Sequence, residues 1–327
     1  VYLARDVKHE RQVAVKVLRP ELAAAMGADR FHQEIKIAAN LHHPHILPLY
    51  DSGEADGFLY YVMPYEEGQS LREKLAREGE LPVSDAVRIL RDVVDALSHA
   101  HSHNVVHRDI KPDNVMLSGR HALVTDFGVA KAVSESSGRH QLTTEGIALG
   151  TPAYMAPEQA AADPHIDHRA DIYAVGAVAY ELLTGRPPFS GGTQQEILAA
   201  HVTQMPEAVT KFRESVSPQL EQLVMKCLEK KAADRWQSAE ELVPQLEALT
   251  TPSGGTTPTT MTPVSATRPG KRGLYVALAA TAAFAVGIIG MLLGGAGPDH
   301  EDTAAVPLDE RPWVIVAAFE GQSDDTG

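Results

Sequence analysis

The stretch His107-Arg108-Asp109-Ile110-Lys111-Pro112-Asp113-Asn114 is followed, twelve residues later, by Asp126-Phe127-Gly128. A carboxylate, a lysine and an amide at these offsets, with a second carboxylate after a short apolar run, can hold a metal-bound nucleotide and activate a hydroxyl group. Because Pro112 forces a loop between Asp109 and Asn114, one side chain can face an acceptor while the other faces a metal ion. Asp126 would supply a second metal-binding oxygen. These residue types predict phosphoryl-transfer chemistry.

Length and composition favour one large, two-lobed domain with a smaller addition. The chain has 327 residues, of which 44% are hydrophobic, enough for a substantial core. Its single cysteine, Cys227, excludes a disulfide framework and a cysteine zinc site, and the apolar periodicity around it predicts a buried helix residue. The formal net charge of −14 argues against a nucleic-acid partner, because binding a phosphate backbone needs a basic face. The cysteine usage indicates a cytoplasmic catalytic part.

The N-terminal segment has the pattern of a β-hairpin. Val1–Leu3 and Gln12–Leu18 are β-branched and apolar, and a polar turn separates them. Lys16 alternates onto the same face as Ala14 and Leu18, which is an unusual place for a lone ammonium group. A strand-end lysine that snorkels to water is the plain explanation from residue type alone.

Two groups of histidines raise the question of a metal site. The first comprises His42, His43 and His45, and the second comprises His99 and His103, one turn apart near the end of a long predicted helix. The first group has no cysteine near it and has a proline within it, and the helix shows no third ligand. The sequence therefore favours packed or solvated histidines over a metal site.

The two motifs quoted first resemble the catalytic loop and the metal-binding DFG turn of eukaryotic-type protein kinases, in the order and at about the spacing found there. The chain is identified as a member of the bacterial receptor type of protein Ser/Thr kinase. The resemblance implies that residues 1–249 form an α+β, bilobal protein-kinase fold, with a small β-rich N-lobe lacking its first strand and a large α-helical C-lobe. The glycine-rich loop that covers the phosphates in this family would lie just before Val1, and we interpret its absence as truncation.

The resemblance implies a role for each residue of the catalytic loop. Asp109 would accept or orient the proton of the acceptor hydroxyl, and Lys111 would neutralise charge on the γ-phosphoryl group. Asn114 and Asp126 would hold Mg²⁺ or Mn²⁺, hard ions that prefer oxygen ligands. Lysine two residues after Asp109 is also the mark of Ser/Thr rather than Tyr kinases.

The resemblance further implies an ATP site in the N-lobe. Lys16 would bind the α- and β-phosphates, and Glu34, on a predicted helix, would hold Lys16 by an ion pair, although glutamates on helices are usually solvated. Met63 matches the gatekeeper position. The carbonyl of Pro64 and the amide of Glu66 would bond adenine.

The same resemblance implies roles for regulatory residues. Arg108 is expected to receive a phosphate from the activation loop, where Thr143 and Thr144 are the candidate acceptors. Thr151 is expected to contact the catalytic Asp and Lys of the loop.

Three further residues are expected to hold the larger lobe together. Glu158 of the APE motif would pair with Arg235. Asp171, on an apolar helix, would be costly to bury unpaired and should accept backbone donors from the catalytic loop.

The composition changes after Leu249. Residues 250–272 are predicted to be a Thr/Pro/Gly-rich juxtamembrane linker, and residues 273–293 a single transmembrane helix with about twenty uncharged residues. The basic flank before this helix and the acidic segment after it follow the positive-inside pattern; a buried helix of a soluble domain is the alternative. Residues 294–327 would begin an extracytoplasmic region, with a strand at Trp313–Phe319. The predicted location is the inner cell membrane, with the kinase domain in the cytoplasm.

The predicted activity is transfer of the ATP γ-phosphoryl group to Ser or Thr hydroxyls of protein substrates, with autophosphorylation of the activation loop, in signal transduction. A pseudokinase scaffold is the alternative from another class, and it would have lost Lys16, Asp109, Asn114 or Asp126. None of the four is lost. A ligand receptor with the kinase as its output is compatible with both, and homodimerisation is left open.

Overall fold

The computed structural model describes residues 1–18, 20, 23, 27–127 and 152–250, together with a short strand at Val314–Ile315. Thr143, Thr144 and Thr151, the predicted linker, the predicted transmembrane helix and most of the predicted extracytoplasmic region lie outside these residues. Within the described part of the chain, no helix combines the length and apolarity needed to cross a membrane.

The N-terminal part is built on a five-stranded sheet. Its order is β3-β4-β2-β1-β8, formed by β1 (Tyr2–Asp6), β2 (Arg11–Val17), β3 (Asp51–Ala55), β4 (Phe58–Pro64) and β8 (Val314–Ile315). Strands β1 to β4 pair antiparallel, as the predicted hairpin requires, whereas β8 pairs in parallel with β1.

Helix α1 (Ala28–Ala39) packs its apolar face against this sheet. Phe31 and Ile35 join Leu59, Tyr61 and Met63 of β4 in one buried cluster. The helix that the sequence predicts around Glu34 is therefore confirmed.

A small three-stranded sheet, β5-β6-β7, follows the connector after β4. Its strands are β5 (Gln69–Ser70), β6 (Val115–Ser118) and β7 (His121–Val124). Ser70 also begins α2 (Leu71–Glu78), where its side chain accepts from the Glu73 amide and Glu73 reaches back to the Ser70 amide. This capping box satisfies amide groups that have no partner inside the helix.

The larger lobe is helical. Its helices are α3 (Val83–Ser102), α4 (Pro157–Ala160), α5 (Arg169–Thr184), α6 (Gln194–Thr203), α7 (Pro218–Cys227) and α8 (Leu242–Thr250). Short 3₁₀ turns lie at Pro112–Asn114, Pro152–Tyr154, Val209–Lys211 and Ala232–Asp234. Helix α5 is the centre of this lobe, since every residue from Ala170 to Leu183 is buried. It ends at Gly185, whose φ of 73° is a conformation that glycine adopts without strain.

Cys227 is completely buried at the end of α7, as its periodicity predicts. Burial raises the pKa of its thiol to about 12. The thiol is therefore a packing group and not a nucleophile at neutral pH.

Arg235 joins three parts of the helical lobe. Its side chain is fully buried, and the guanidinium forms a two-pronged ion pair with Glu158, with both N–O distances at 2.7 Å. Its remaining N–H groups donate to the carbonyls of Arg169, Glu229 and Lys230. All five donors of the guanidinium are thus satisfied, which is the condition for keeping this charge buried.

We expect Arg235→Lys to lower the free energy of unfolding by about 3 kcal/mol, because lysine cannot reproduce the planar fork and Glu158 would lose its partner. Urea unfolding at pH 7 measures the difference. Arg77→Gln is the control, since it breaks an exposed ion pair with Glu78 and should change little. Equal stability of the Arg235 variant and the parent would contradict this assignment.

Candidate active site

The catalytic loop is held from behind by Asp171, a residue of the first turn of α5. Its side chain is 1% exposed. Its oxygens accept the amides of His107 at 2.8 Å and Arg108 at 2.7 Å, and Nε2 of His101 lies 2.9 Å away. Burial alone would raise the pKa of Asp171, but the hydrogen bond and charge of His101 and the contacts with His107 hold this pKa below its usual value. Asp171 is therefore a charged anchor for the loop at neutral pH.

This anchor supports a strained backbone. Arg108 has a φ of 67°, in the left-handed region that non-glycine residues rarely adopt. The carbonyl of Arg108 is held as well, because it accepts from Nε2 of Gln159 at 2.8 Å. Because the amide and the carbonyl of Arg108 are both hydrogen-bonded, the loop keeps a conformation that it would not adopt alone.

His107 connects the two motifs. The Asp109 amide donates to its Nδ1 at 3.2 Å, and its Nε2 lies 2.8 Å from the carbonyl of Thr125. One neutral tautomer, protonated at Nε2, satisfies both contacts. The ring also packs against Phe127 with a centroid distance of 4.7 Å. The position of Asp109 is thus tied to that of the Asp126 turn.

Asp109, Lys111 and Asn114 form one contact group at the front of the loop. Nζ of Lys111 lies 2.6 Å from Oδ2 of Asp109, and Nδ2 of Asn114 donates to the same oxygen at 3.0 Å and to the Asp109 carbonyl at 2.8 Å. Since Asn114 uses its amide nitrogen for both bonds, its amide oxygen is left for a different partner. The structure therefore brings these three predicted residues together.

Asp126 is bound from the N-terminal sheet. The ammonium group of Lys16 donates to Oδ2, and the hydroxyl of Tyr61 donates to Oδ1. Burial would raise the pKa of Asp126, but the charge of Lys16 and the hydrogen bonds from Lys16 and Tyr61 lower it overall. Burial beside this carboxylate raises the pKa of Tyr61 well above its usual range, so the hydroxyl stays a donor.

The predicted ion pair between Lys16 and Glu34 is not formed in this structure. Both residues are among those described, and the carboxylate within ionic distance of Lys16 is that of Asp126. Glu34 lies on α1 with 8% exposure. In the sheet, Lys16 is directly opposite Tyr61, so the two side chains share a face and reach the same carboxylate.

The residues predicted to contact adenine lie at the end of β4. Met63 is opposite Ala14 and Pro64 is opposite Val13. Met63 is buried among the apolar side chains of the sheet and α1. Glu66, in the connector after β4, accepts from the hydroxyl of Ser118 at 3.1 Å. The connector is thereby fastened to β6 of the small sheet.

Three residues of the site were not identified from the sequence: Tyr61, His101 and Gln159. Tyr61 belongs to a strand that its pattern marks simply as apolar, and its hydroxyl gave no signal. Alternation along β4 could have indicated that Tyr61 faces the site, because Tyr61 and Met63 lie on the same face of the strand. Its pairing with Lys16 cannot be predicted without the register of β2 against β4. His101 and Gln159 act through contacts far along the chain, with Asp171 and Arg108.

We expect Asp171→Asn to destabilise the protein by about 3 kcal/mol at pH 7, because an amide cannot accept all the donors that the carboxylate accepts. The pH dependence follows from the lowered pKa. The folded protein holds Asp171 charged while the unfolded chain takes up a proton below about pH 4, so the parent loses stability on acidification.

Urea unfolding from pH 7 to pH 3 measures both effects. The Asp171→Asn variant should show a shallower acid slope than the parent. Asp163→Asn, at an exposed carboxylate that accepts from the His165 amide, is the control and should follow the parent. An unchanged acid slope in the Asp171 variant would exclude a charged anchor.

Comparison with known proteins places this arrangement in a family. The model described as "Protein kinase domain" matches residues 1–245. The chain is 40% identical over 248 residues to "Serine/threonine-protein kinase PknB" of Mycobacterium leprae (strain TN), which covers 74% of this chain and 39% of that relative. It is 39% identical over 258 residues to "Serine/threonine-protein kinase pkn3" of Myxococcus xanthus, with 76% and 47% covered. It is 37% identical over 244 residues to "Serine/threonine-protein kinase PrkC" of Bacillus subtilis (strain 168), with 74% of this chain and 37% of that relative covered.

The chain thus matches less than half the length of each of these relatives. By sequence and by the geometry of its site, the chain belongs to the protein kinase family.

Proposed function

We propose that the protein is a membrane-anchored serine/threonine kinase that transfers the ATP γ-phosphoryl group to Ser and Thr hydroxyls and phosphorylates its own activation loop. The observation that carries the proposal is the joint placement of two groups. Asp109, Lys111 and Asn114 contact one another, and His107 links their loop to the turn where Asp126 meets Lys16. The names of the relatives support Ser/Thr specificity.

The residues fit a hard divalent cation. Asp126 is a carboxylate that stays ionised, and Asn114 retains its amide oxygen, so the donor set consists of oxygens. Mg²⁺ or Mn²⁺ bound there would neutralise charge on the β- and γ-phosphates. Asn114 holds its own position through Asp109, which connects metal binding with the position of the base.

Asp109 and Lys111 act on the reacting groups. The contacts from Lys111 and Asn114 both use Oδ2 of Asp109, which leaves Oδ1 to accept from and orient an acceptor hydroxyl. Lys111 carries its positive charge at the same place and would stabilise the γ-phosphoryl oxygens as they gain charge. Most of the rate enhancement in this reaction comes from such positioning and charge neutralisation.

Lys16 connects nucleotide binding with the N-terminal sheet. Its ammonium group would bind the α- and β-phosphates, and Asp126 and Tyr61 keep it at the site in the present structure. Glu34 is proposed to hold Lys16 in the catalytic state, which requires α1 to bring it nearer. Adenine would lie at the end of β4, against Met63, with the Pro64 carbonyl and the Glu66 amide as its hydrogen-bond partners.

Regulation is proposed to act through the activation loop. Arg108, whose main chain is fixed by Asp171 and Gln159, would receive a phosphate on Thr143 or Thr144. Thr151 would contact Asp109 and Lys111 when a substrate hydroxyl is in place. Substrates are therefore proteins that present Ser or Thr, including a second copy of this chain.

The membrane anchor rests on the sequence after the kinase domain. Residues 273–293 are uncharged and long enough to cross a bilayer, and basic residues precede them. The kinase domain would lie on the cytoplasmic side, where ATP is available. Residues 294–327 would then begin the extracytoplasmic part.

Phosphorylation assays on the full-length protein, with ATP and Mg²⁺ or Mn²⁺, test the proposed activity. We expect mass spectrometry to find phosphate on Thr143 or Thr144 in the parent. Asp109→Asn should lower transfer by at least about a hundredfold, because the acceptor hydroxyl loses its positioned acceptor.

Asp113→Asn is the matched control, since Asp113 lies in the same loop but contacts only Arg72 among the ion pairs of the described residues. It should retain most of the activity. Nucleotide binding without transfer in the parent, under either metal, would favour the scaffold alternative. Equal activity of the Asp109 and Asp113 variants would contradict the assigned role of Asp109.

A further inference from the structure

Three side chains from distant parts of the chain meet beside β7. They are His45, in the segment after α1, Asp92, in the middle of α3, and His121, at the start of β7. One nitrogen or oxygen from each lies within 4.8 Å of the other two. Nε2 of His45 is 3.7 Å from Oδ1 of Asp92, and Nδ1 of His121 is 3.9 Å from Oδ2. None of the assigned kinase roles uses this cluster.

The protonation of His45 can be assigned from its other nitrogen. Nδ1 lies 3.1 Å from the carbonyl oxygen of Ala122. A carbonyl only accepts, so Nδ1 carries a proton, and in the neutral ring the lone pair is at Nε2. That lone pair faces a carboxylate oxygen at a distance too long for a hydrogen bond. Two acceptors that face each other in this way are stabilised when a cation lies between them.

This arrangement of His45 is the one found in metal-binding histidines. A ligating imidazole generally donates its other N–H to a carbonyl or a carboxylate, which fixes the tautomer and the ring orientation. The backbone carbonyl of His45 also accepts from the Val124 amide at 2.8 Å. The residue is thus held at two points before any ion binds.

Asp92 supplies a rigid carboxylate. Its side chain is fully buried. Oδ2 accepts the Ala122 amide at 3.1 Å and Oδ1 accepts from Nη2 of Arg91 at 2.9 Å. Two of its roughly four acceptor positions are therefore used, and each oxygen has one left, Oδ1 toward His45 and Oδ2 toward His121.

We infer that His45, Asp92 and His121 form a binding site for one divalent transition-metal ion, with Zn²⁺ as the best fit. Two imidazoles and one carboxylate suit Zn²⁺, whereas Mg²⁺ and Ca²⁺ prefer oxygen ligands alone. Tetrahedral Zn²⁺ with bonds near 2.0–2.2 Å places its ligand atoms roughly 3.3 Å apart. The three ligand atoms of the cluster lie within 4.8 Å of one another, so they must move closer to hold the ion. His121, whose side chain is 67% exposed, has room to make this movement.

A bound ion would have solvent beside it for a fourth ligand. A surface cavity of about 310 Å³ lies beside the cluster, lined by His45, His121, Glu66 and Ser118 among others. It leaves space for a water ligand. The site resembles in composition the three-ligand zinc sites that keep an open position.

A bound ion would fasten three elements together. It would join the segment that follows α1 to α3 and to β7, which ends two residues before Asp126. The same junction already carries main-chain bonds between His45, Leu47 and Val124. The ion would reinforce the joint between the helix that carries Glu34 and the lobe that carries the catalytic loop.

A Zn²⁺ titration against a chromophoric chelator tests the site, using the full chain in excess Mg²⁺ so that oxygen sites are occupied. We expect one Zn²⁺ per chain in the parent. His45→Gln and His121→Asn should each weaken binding by at least about tenfold. Because His121 is exposed, its variant keeps the fold and the test does not depend on His45→Gln alone.

Two histidine variants serve as matched controls. His103→Gln alters the pair of histidines at the end of α3, where the rings of His99 and His103 lie 4.5 Å apart. His165→Gln removes an exposed histidine. Both should bind Zn²⁺ like the parent. The inference is overturned if the parent binds no stoichiometric Zn²⁺, or if binding survives in the His45 and His121 variants or is lost in His103→Gln.

Discussion

The buried carboxylate of Asp171 is the interaction on which the catalytic loop depends. A charge with 1% exposure is stable only if its oxygens are fully bonded, and here the donors are the His107 and Arg108 amides and the His101 ring. Those bonds hold Arg108 in a left-handed conformation and so determine where Asp109 points. Through His107, the same anchor reaches the Thr125 carbonyl and the turn at Asp126. The geometry of the site thus depends on one charge in the core of the helical lobe.

A second charge links the two lobes. Lys16 of the N-terminal sheet pairs with Asp126, and Tyr61 adds its hydroxyl to the same carboxylate. The pairing keeps Asp126 ionised at its buried position, which is the state that a metal ligand needs. It also means that Lys16 serves Asp126 in this structure, whereas the family pattern assigns it to Glu34. Exchange between these two partners would couple the position of α1 to the state of the turn at Asp126.

The sequence predicted the elements well where a period governs them. Two apolar segments around a polar turn indicated the first hairpin, three- and four-residue spacing indicated α3, and a continuous apolar segment indicated the buried helix α5. The motifs identified Asp109, Lys111 and Asn114 because these residues lie within six positions of one another.

Contacts that depend on strand register could not be predicted from such local spacing. Tyr61 meets Lys16 only because β2 and β4 pair with these two residues opposite each other. The cluster of His45, Asp92 and His121 draws on three distant segments, so no local spacing could reveal it.

Binding of a metal nucleotide by Asp126 and Asn114 is the central claim, and electron paramagnetic resonance of Mn²⁺ tests it most directly. Free Mn²⁺ gives a sharp signal that is lost when the ion binds, so the loss beyond that caused by a non-hydrolysable ATP analogue without protein counts the ions that the protein binds. We predict that the parent and Asp113→Asn bind Mn²⁺ equally in the presence of the analogue, whereas Asp126→Asn and Asn114→Ala bind it much more weakly. Mn²⁺ binding by Asp126→Asn as tight as that of the parent would contradict the account.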